Sequence, residues 1–89
     1  MAAQNVFAIF GASQPGDLDS LVESTFSDEA RKIISGQWLV RTEANQAFEV
    51  YNKLFETHEP VRCIIVPAEG YYGFHDKAVW GWIEAAKNG

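Results

Sequence analysis

The sequence contains a single cysteine, Cys63, and it lies inside an apolar run. One cysteine excludes an intrachain disulfide and agrees with a reducing compartment. Burial in an apolar strand would disfavour the thiolate, so we do not expect Cys63 to pair with His75 as a nucleophile. Cys63, His75 and Asp76 also lack the spacing of a zinc site. We therefore expect a small buried side chain at Cys63 and no bound metal.

Basic residues are scarce, since seven Lys and Arg face twelve Asp and Glu and the formal net charge is −5. Nucleic-acid modules carry a basic patch, because contacts with phosphates release counterions. Arg31, Lys32 and Arg41 are too few for more than a local cluster, and a solvated face explains them better. The charge balance argues against a nucleic-acid partner and favours a protein partner.

Long hydrophobic runs are absent, and the first ten residues lack the charged region of a signal peptide. No membrane span is expected, and we predict a cytoplasmic protein. The chain of 89 residues predicts one domain over residues 1–89. A domain of this size is marginally stable alone, which favours a homodimer. Its hydrophobic content of 47% argues against disorder.

Hydrophobic periodicity predicts alternating strands and helices. Strands are expected at Val6–Phe10, Arg31–Ile34, Gln37–Thr42 and Val61–Pro67. A first helix carries an apolar stripe of Leu18, Leu21, Val22, Thr25 and Phe26. A second helix, with Thr42 as its N-cap, carries Ala47, Val50, Tyr51, Leu54 and Phe55. A last helix begins near His75 or Asp76 and shares Val79, Ile83 and Ala86 on one face.

This order predicts an α+β fold, namely a ferredoxin-like β-α-β-β-α-β sandwich with an additional C-terminal helix. Handedness rules place the first and fourth strands, the two most apolar, side by side at the centre of the sheet. The first and second helices cover one face of the sheet. The other face is solvated, covered by the C-terminal tail, or paired with a second copy.

Two stretches, "QWLVRTEANQAFEVYNKL" and "RCIIVPAEGYYGFHDKAVWGWI", carry a family resemblance. They resemble the small Cas2-like proteins often called SinR-like, mainly over residues 37–83. The resemblance rests on a Trp-Leu-Val strand that runs into a helix, and on an aliphatic strand followed by an aromatic, glycine-containing loop. It implies a ferredoxin-like fold, a homodimer formed through the sheet, and a defence or toxin–antitoxin setting.

Nuclease members of that group carry an aspartate at the end of the first strand, where two copies hold a metal. Here Gly11, Ala12 and Ser13 occupy that stretch, and Mg²⁺ needs oxygen ligands that are chiefly carboxylates. A metal-dependent endoribonuclease would have to use Ser13, Asp17 and Asp19 instead. The resemblance therefore implies a protein without catalytic residues and without a cofactor, with a Mg²⁺-dependent nuclease as the alternative.

The loop "GASQPG" after the first strand invites comparison with a phosphate loop. No Lys-Ser or Lys-Thr pair follows it, and Asp17 and Asp19 would repel an anion. A structural turn that starts the first helix is the favoured interpretation.

Aromatic side chains are concentrated near the end of the chain. Tyrosine and tryptophan are enriched at protein interfaces, and acidic neighbours here disfavour base stacking. The candidate interface residues are Trp38, Tyr71, Tyr72, Phe74, Trp80 and Trp82. The sequence thus predicts a homodimeric interaction or regulatory protein without a catalytic site. A small-ligand sensor is a further alternative, which a deep apolar cavity beneath the aromatic loop would favour.

Overall fold

The computed structural model describes residues 4–68 and 77–88. Within these ranges, helices and strands follow one another in the predicted order. The elements are β1 (Asn5–Gly11), α1 (Pro15–Phe26), a 3-10 turn (Ser27–Glu29), β2 (Ala30–Ile34), β3 (Gln37–Thr42), α2 (Ala47–Leu54), β4 (Cys63–Pro67) and α3 (Lys77–Asn88). The α+β class is confirmed.

The strands form one sheet in the order β2-β3-β1-β4, and every neighbouring pair is antiparallel. β1 lies in the interior of the sheet, as its continuous apolar sequence predicts. β4 lies beside β1, which is confirmed, but it forms an edge of the described sheet, so its predicted central position is wrong. The prediction fails because an apolar strand at an exposed edge and a buried central strand have the same amino-acid composition.

Helices α1 and α2 cover one face of the sheet. The predicted stripe of α1 is confirmed, because Leu18, Val22 and Phe26 are buried against Phe7 and Ile9 of β1. A spacing of four residues places these three side chains on one side of the helix. Pro15 begins the helix, which suits a residue with no backbone N–H to leave unpaired.

Helix α2 differs from the prediction at its start and on one face. Gln46 precedes the helix as its N-cap, and the Thr42 hydroxyl instead accepts a hydrogen bond from the Ala44 N–H at 3.3 Å. The Glu49 carboxylate reaches back to the N–H of Asn45 at 3.1 Å. Tyr51 was expected on the buried stripe, but it is 40% exposed beside the sheet edge. The N-cap prediction fails because residues 43–46 form a connecting loop before the helix begins.

Helix α3 covers the opposite face of the sheet. Its Val79, Ile83 and Ala86 are buried with Val6 of β1, and the Gln4 N–H donates to the Ala86 carbonyl at 2.9 Å. The shared face predicted for these three residues is confirmed. Of the three alternatives for this face, the structure shows coverage by the C-terminal segment of the chain.

A polar clamp also ties α3 to the sheet. The Arg41 Nε donates to the Glu29 carboxylate at 2.6 Å, and the guanidinium carbon lies 4.9 Å from the centre of the Trp82 ring. A cation over an indole face is attracted by the ring quadrupole. Arg41 therefore joins the 3-10 turn, β3 and α3.

Candidate functional site

The loop after β1 has a packing role at Gly11. A Cβ added there would lie 2.8 Å from the Leu18 Cδ2 and 3.0 Å from the Gly36 carbonyl oxygen. The Gly11 N–H also donates to that carbonyl at 2.6 Å. A glycine is required because β1, α1 and the β2–β3 turn approach one another closely here. This contact gives a structural reason for the glycine that does not involve a ligand.

Asp19 is the centre of a hydrogen-bonding network between α1 and the β2–β3 hairpin. One carboxylate oxygen accepts from the Gly36 N–H at 2.8 Å and from the Trp38 Nε1 at 2.7 Å. The other accepts from the Ser35 hydroxyl at 2.6 Å and lies 3.6 Å from the Lys32 Nζ. Both oxygens are therefore engaged by donors from one hairpin, so Asp19 fastens that hairpin to α1.

The network controls the ionisation of Asp19. Burial alone would raise the pKa of the carboxyl group. Hydrogen bonds from Ser35, Gly36 and Trp38, together with the charge of Lys32, outweigh that effect and lower the pKa from 3.8 to about 2. Asp19 is thus a firmly ionised structural carboxylate.

The three residues of the nuclease hypothesis do not form a ligand set in the described part of the chain. Asp17 and Asp19 are two positions apart on α1, and side chains at that spacing do not face each other. Asp17 is exposed in the first turn of α1, and Ser13 lies in the preceding loop. Among the described residues, no group of three or more His, Cys, Asp or Glu side chains could hold a metal ion.

The aromatic candidates divide into three groups. Trp38 is only 5% exposed and belongs to the core beneath α1, so its place among interface residues is a correction to the prediction. Trp80 and Trp82 are half-buried and pack beside the α3 core. Tyr71, Tyr72 and Phe74 lie outside the described residues, and their predicted role stays a prediction.

A different apolar surface surrounds the edge strand β4. Ile64 is 63% exposed and Val66 is 38% exposed, and Phe10 pairs with Ile64 across the sheet. On the other side of the strand, Phe48 and Tyr51 of α2 are 56% and 40% exposed. We call these five residues and the outer edge of β4 the β4 edge surface. The apolar composition of β4 predicted a strand at the centre of the sheet, so no local signal pointed to this surface.

The backbone of β4 shows which groups face outward. The Ala12 N–H donates to the Arg62 carbonyl at 2.8 Å, and the Ala68 N–H donates to the Val6 carbonyl at 2.8 Å. Because antiparallel ladders alternate, the backbone groups of even-numbered residues face β1. Those of Cys63, Ile65 and Pro67 therefore point away from the sheet.

A shallow groove of about 210 Å³ runs along the inner side of the β4 edge surface, lined by Ala47, Phe48, Tyr51, Cys63 and Ile65. A second, less open cleft of about 450 Å³ is mainly polar and is lined by Gln4, Thr25, Phe26, Glu29, Arg41, Thr42, Glu43 and Lys53. Neither is a deep, enclosed apolar cavity, and the aromatic loop beneath which the sensor hypothesis places its cavity lies outside the described residues.

Cys63 lies half-buried in that groove, and burial raises the pKa of its thiol. We expect native protein at neutral pH to react with iodoacetamide several-fold more slowly than the urea-unfolded chain, because the thiolate is the reactive form. Mass spectrometry of timed samples measures both rates. Equal rates in the native and unfolded protein would contradict this assignment.

Comparisons with protein-family models, curated proteins and solved structures find no match to this chain. Among the described residues, no helix combines the length and the hydrophobicity needed to cross a membrane. The functional proposal therefore depends on the physical character of the described surfaces.

Proposed function

We propose that this chain is a small homodimeric interaction or regulatory protein without a catalytic site, acting in the cytoplasm through contacts with another protein. The β4 edge surface carries the proposal. Natural proteins protect an edge strand with charged side chains, bulges or covering segments, because an open edge invites pairing. β4 has the sequence Cys-Ile-Ile-Val-Pro; it contains no charge, and its protection is limited to its short length and the terminal Pro67. An uncharged apolar edge is typical of a surface that another chain covers.

The fold assignment belongs to the same proposal. A β-α-β-β-α-β order with an antiparallel sheet arranged β2-β3-β1-β4 supports a ferredoxin-like fold, extended by α3. A relationship to Cas2-like and SinR-like proteins, with a defence or toxin–antitoxin setting, is proposed on the sequence resemblance. That resemblance implies a dimer formed through the sheet. Because α3 covers one face of the sheet and α1 and α2 cover the other, a dimer formed through the face under α3 would have to displace this helix.

The nuclease alternative receives less support. A Mg²⁺ site at the end of β1 would need carboxylate oxygens free to coordinate the ion. Both oxygens of Asp19 already accept hydrogen bonds, and Asp17 lies on a different side of α1. Among the described residues, no group of three or more His, Cys, Asp and Glu side chains could hold a metal ion at either position.

Two measurements on the purified full chain test the proposal. We expect light scattering after size-exclusion chromatography to give the mass of a dimer at high micromolar concentration. We also expect single-stranded and double-stranded RNA to survive incubation with the protein and Mg²⁺ or Mn²⁺. A monomer over the whole concentration range would contradict the dimer, and RNA cleavage that Asp17→Ala abolishes would establish the nuclease alternative.

A further inference from the structure

We propose that two copies of this chain pair through their β4 strands, antiparallel about a two-fold axis at Ile65, so that their sheets join into one continuous sheet. This inference rests on the proposed homodimer and identifies its surface. Its occupant is a second copy of the chain, and the contact is made by the β4 edge surface.

The outward-facing backbone groups determine the pairing. With Ile65 opposite Ile65 of the second copy, Cys63 lies opposite Pro67, and both belong to the outward-facing set derived from the β1–β4 hydrogen bonds. Each Ile65 N–H then donates to the other Ile65 carbonyl, and each Cys63 N–H donates to a Pro67 carbonyl. Pro67 has no N–H to donate, so each end of the junction has one ladder hydrogen bond fewer and the facing Cys63 carbonyl is left to solvent. The whole of Cys63–Pro67 takes part.

The side chains on both sides of the strand suit this pairing. Ile64 of one copy faces Val66 of the other, which covers the two exposed aliphatic residues of β4. On the opposite side, Phe48 and Tyr51 of the two α2 helices flank the junction. Cross-strand pairs of β-branched residues stabilise antiparallel sheets.

Charge explains why a second copy can bind despite the net charge of −5. The paired residues of β4 are all uncharged. The first charged residue beyond them, Arg62, comes opposite Ala68 rather than opposite the second Arg62. A two-fold contact at this strand therefore places no like charges directly across from each other, a juxtaposition that would be destabilising.

The exposed apolar area sets the size class of the contact. A large apolar side chain presents roughly 150–250 Å², so the exposed fractions of the five side chains amount to about 400 Å² per chain. Two copies thus contribute about 800 Å² before the backbone of β4 is counted, which approaches the roughly 1,000 Å² expected of a biological interface.

Matched lysine substitutions at the two edges of the sheet test the surface. Ile64 on β4 is 63% exposed and Ile34 on β2 is 57% exposed, so neither substitution removes a core side chain. We expect Ile64→Lys to raise the dimer dissociation constant about tenfold or more, because its charge would be desolvated against Val66. Ile34→Lys should leave the constant within about twofold of wild type, as for a surface change away from a contact. Sedimentation equilibrium measures all three proteins, and circular dichroism checks their folds.

Each outcome discriminates. A dimer that Ile64→Lys leaves intact overturns this interface while the proposed homodimer stands. A dimer that only Ile34→Lys disrupts would place the interface at β2 and overturn the proposal. A wild-type protein that stays monomeric contradicts the homodimer itself. If that monomer binds an extended peptide of another protein at the β4 edge, the occupant of this surface is that protein and not a second copy.

Disulfide trapping tests the register without disturbing the core. In this pairing Ile64 and Val66 form a close non-hydrogen-bonded pair with Cα atoms about 4.5 Å apart, which a disulfide can span. We expect mild oxidation of a mixture of Cys63→Ser/Ile64→Cys and Cys63→Ser/Val66→Cys to give a heterodimer efficiently. Wild-type protein should not cross-link, because its two Cys63 residues lie four positions out of register, roughly 13 Å apart along the strand. Efficient cross-linking of wild type with none in the mixture would overturn the register.

Discussion

Replacing Trp38 by alanine should lower the free energy of unfolding by about 3–5 kcal/mol. The indole is 5% exposed and packs in the core formed by β1, β3, α1 and α2. Alanine would remove most of that packing and leave a cavity that the surrounding helices and strands can fill only in part. It would also leave the Asp19 carboxylate without the donor that the indole N–H supplies at 2.7 Å. Urea denaturation followed by circular dichroism measures the change at fixed protein concentration.

Two variants separate packing from hydrogen bonding at this position. Trp38→Phe keeps much of the buried ring but removes the N–H, so we expect a loss of about 1–3 kcal/mol. Phe48→Ala removes an aromatic ring that is 56% exposed, and monomer stability should change by less than about 0.5 kcal/mol. Trp38→Ala with wild-type stability but impaired dimerisation would restore Trp38 to the interface and contradict its position in the core.

The elements predicted well are those in which the spacing of apolar residues along one segment shows which side is buried. The spacing of Leu18, Val22 and Phe26 places them on one side of α1, and all three are buried. The bounds of β3 at Gln37–Thr42 also agree, because its alternation separates Trp38 and Val40 from the residues facing α3. Periodicity is visible in a single segment, which is why these predictions hold.

The features that sequence analysis missed depend on contacts between distant segments. Asp19 meets Ser35, Gly36 and Trp38, which follow it by 16, 17 and 19 residues, and no short motif encodes such a meeting. The exposure of Ile64 depends on which strand lies beyond β4 in the sheet, and its own sequence resembles that of a buried strand. Trp38 was predicted as an interface residue, whereas its indole N–H donates to the Asp19 carboxylate on α1, a partner that no local pattern around Trp38 indicates.

Acidification should reveal the contribution of Asp19 to stability. Its pKa is about 2 in the folded protein and 3.8 when unperturbed, so the folded state favours the carboxylate. The resulting stabilisation is complete above about pH 4 and is lost as the pH falls towards 2, because protonation then no longer distinguishes the two states. The shift corresponds to about 1–2 kcal/mol once partial screening by solvent is allowed for.

Two substitutions on one helix isolate this effect from the other acidic groups. Asp19→Asn should reduce stability at pH 6 by about 1–3 kcal/mol, because the amide keeps only one acceptor oxygen and its NH2 group then faces the donor of either Ser35 or Gly36. Its stability should also decline less than that of wild type between pH 4 and 2. Asp17→Asn, two residues away and exposed, should follow the wild-type profile. Parallel profiles for wild type and Asp19→Asn would show that the network does not hold Asp19 ionised, whereas converging profiles would identify this carboxylate as the electrostatic link between α1 and the β2–β3 hairpin.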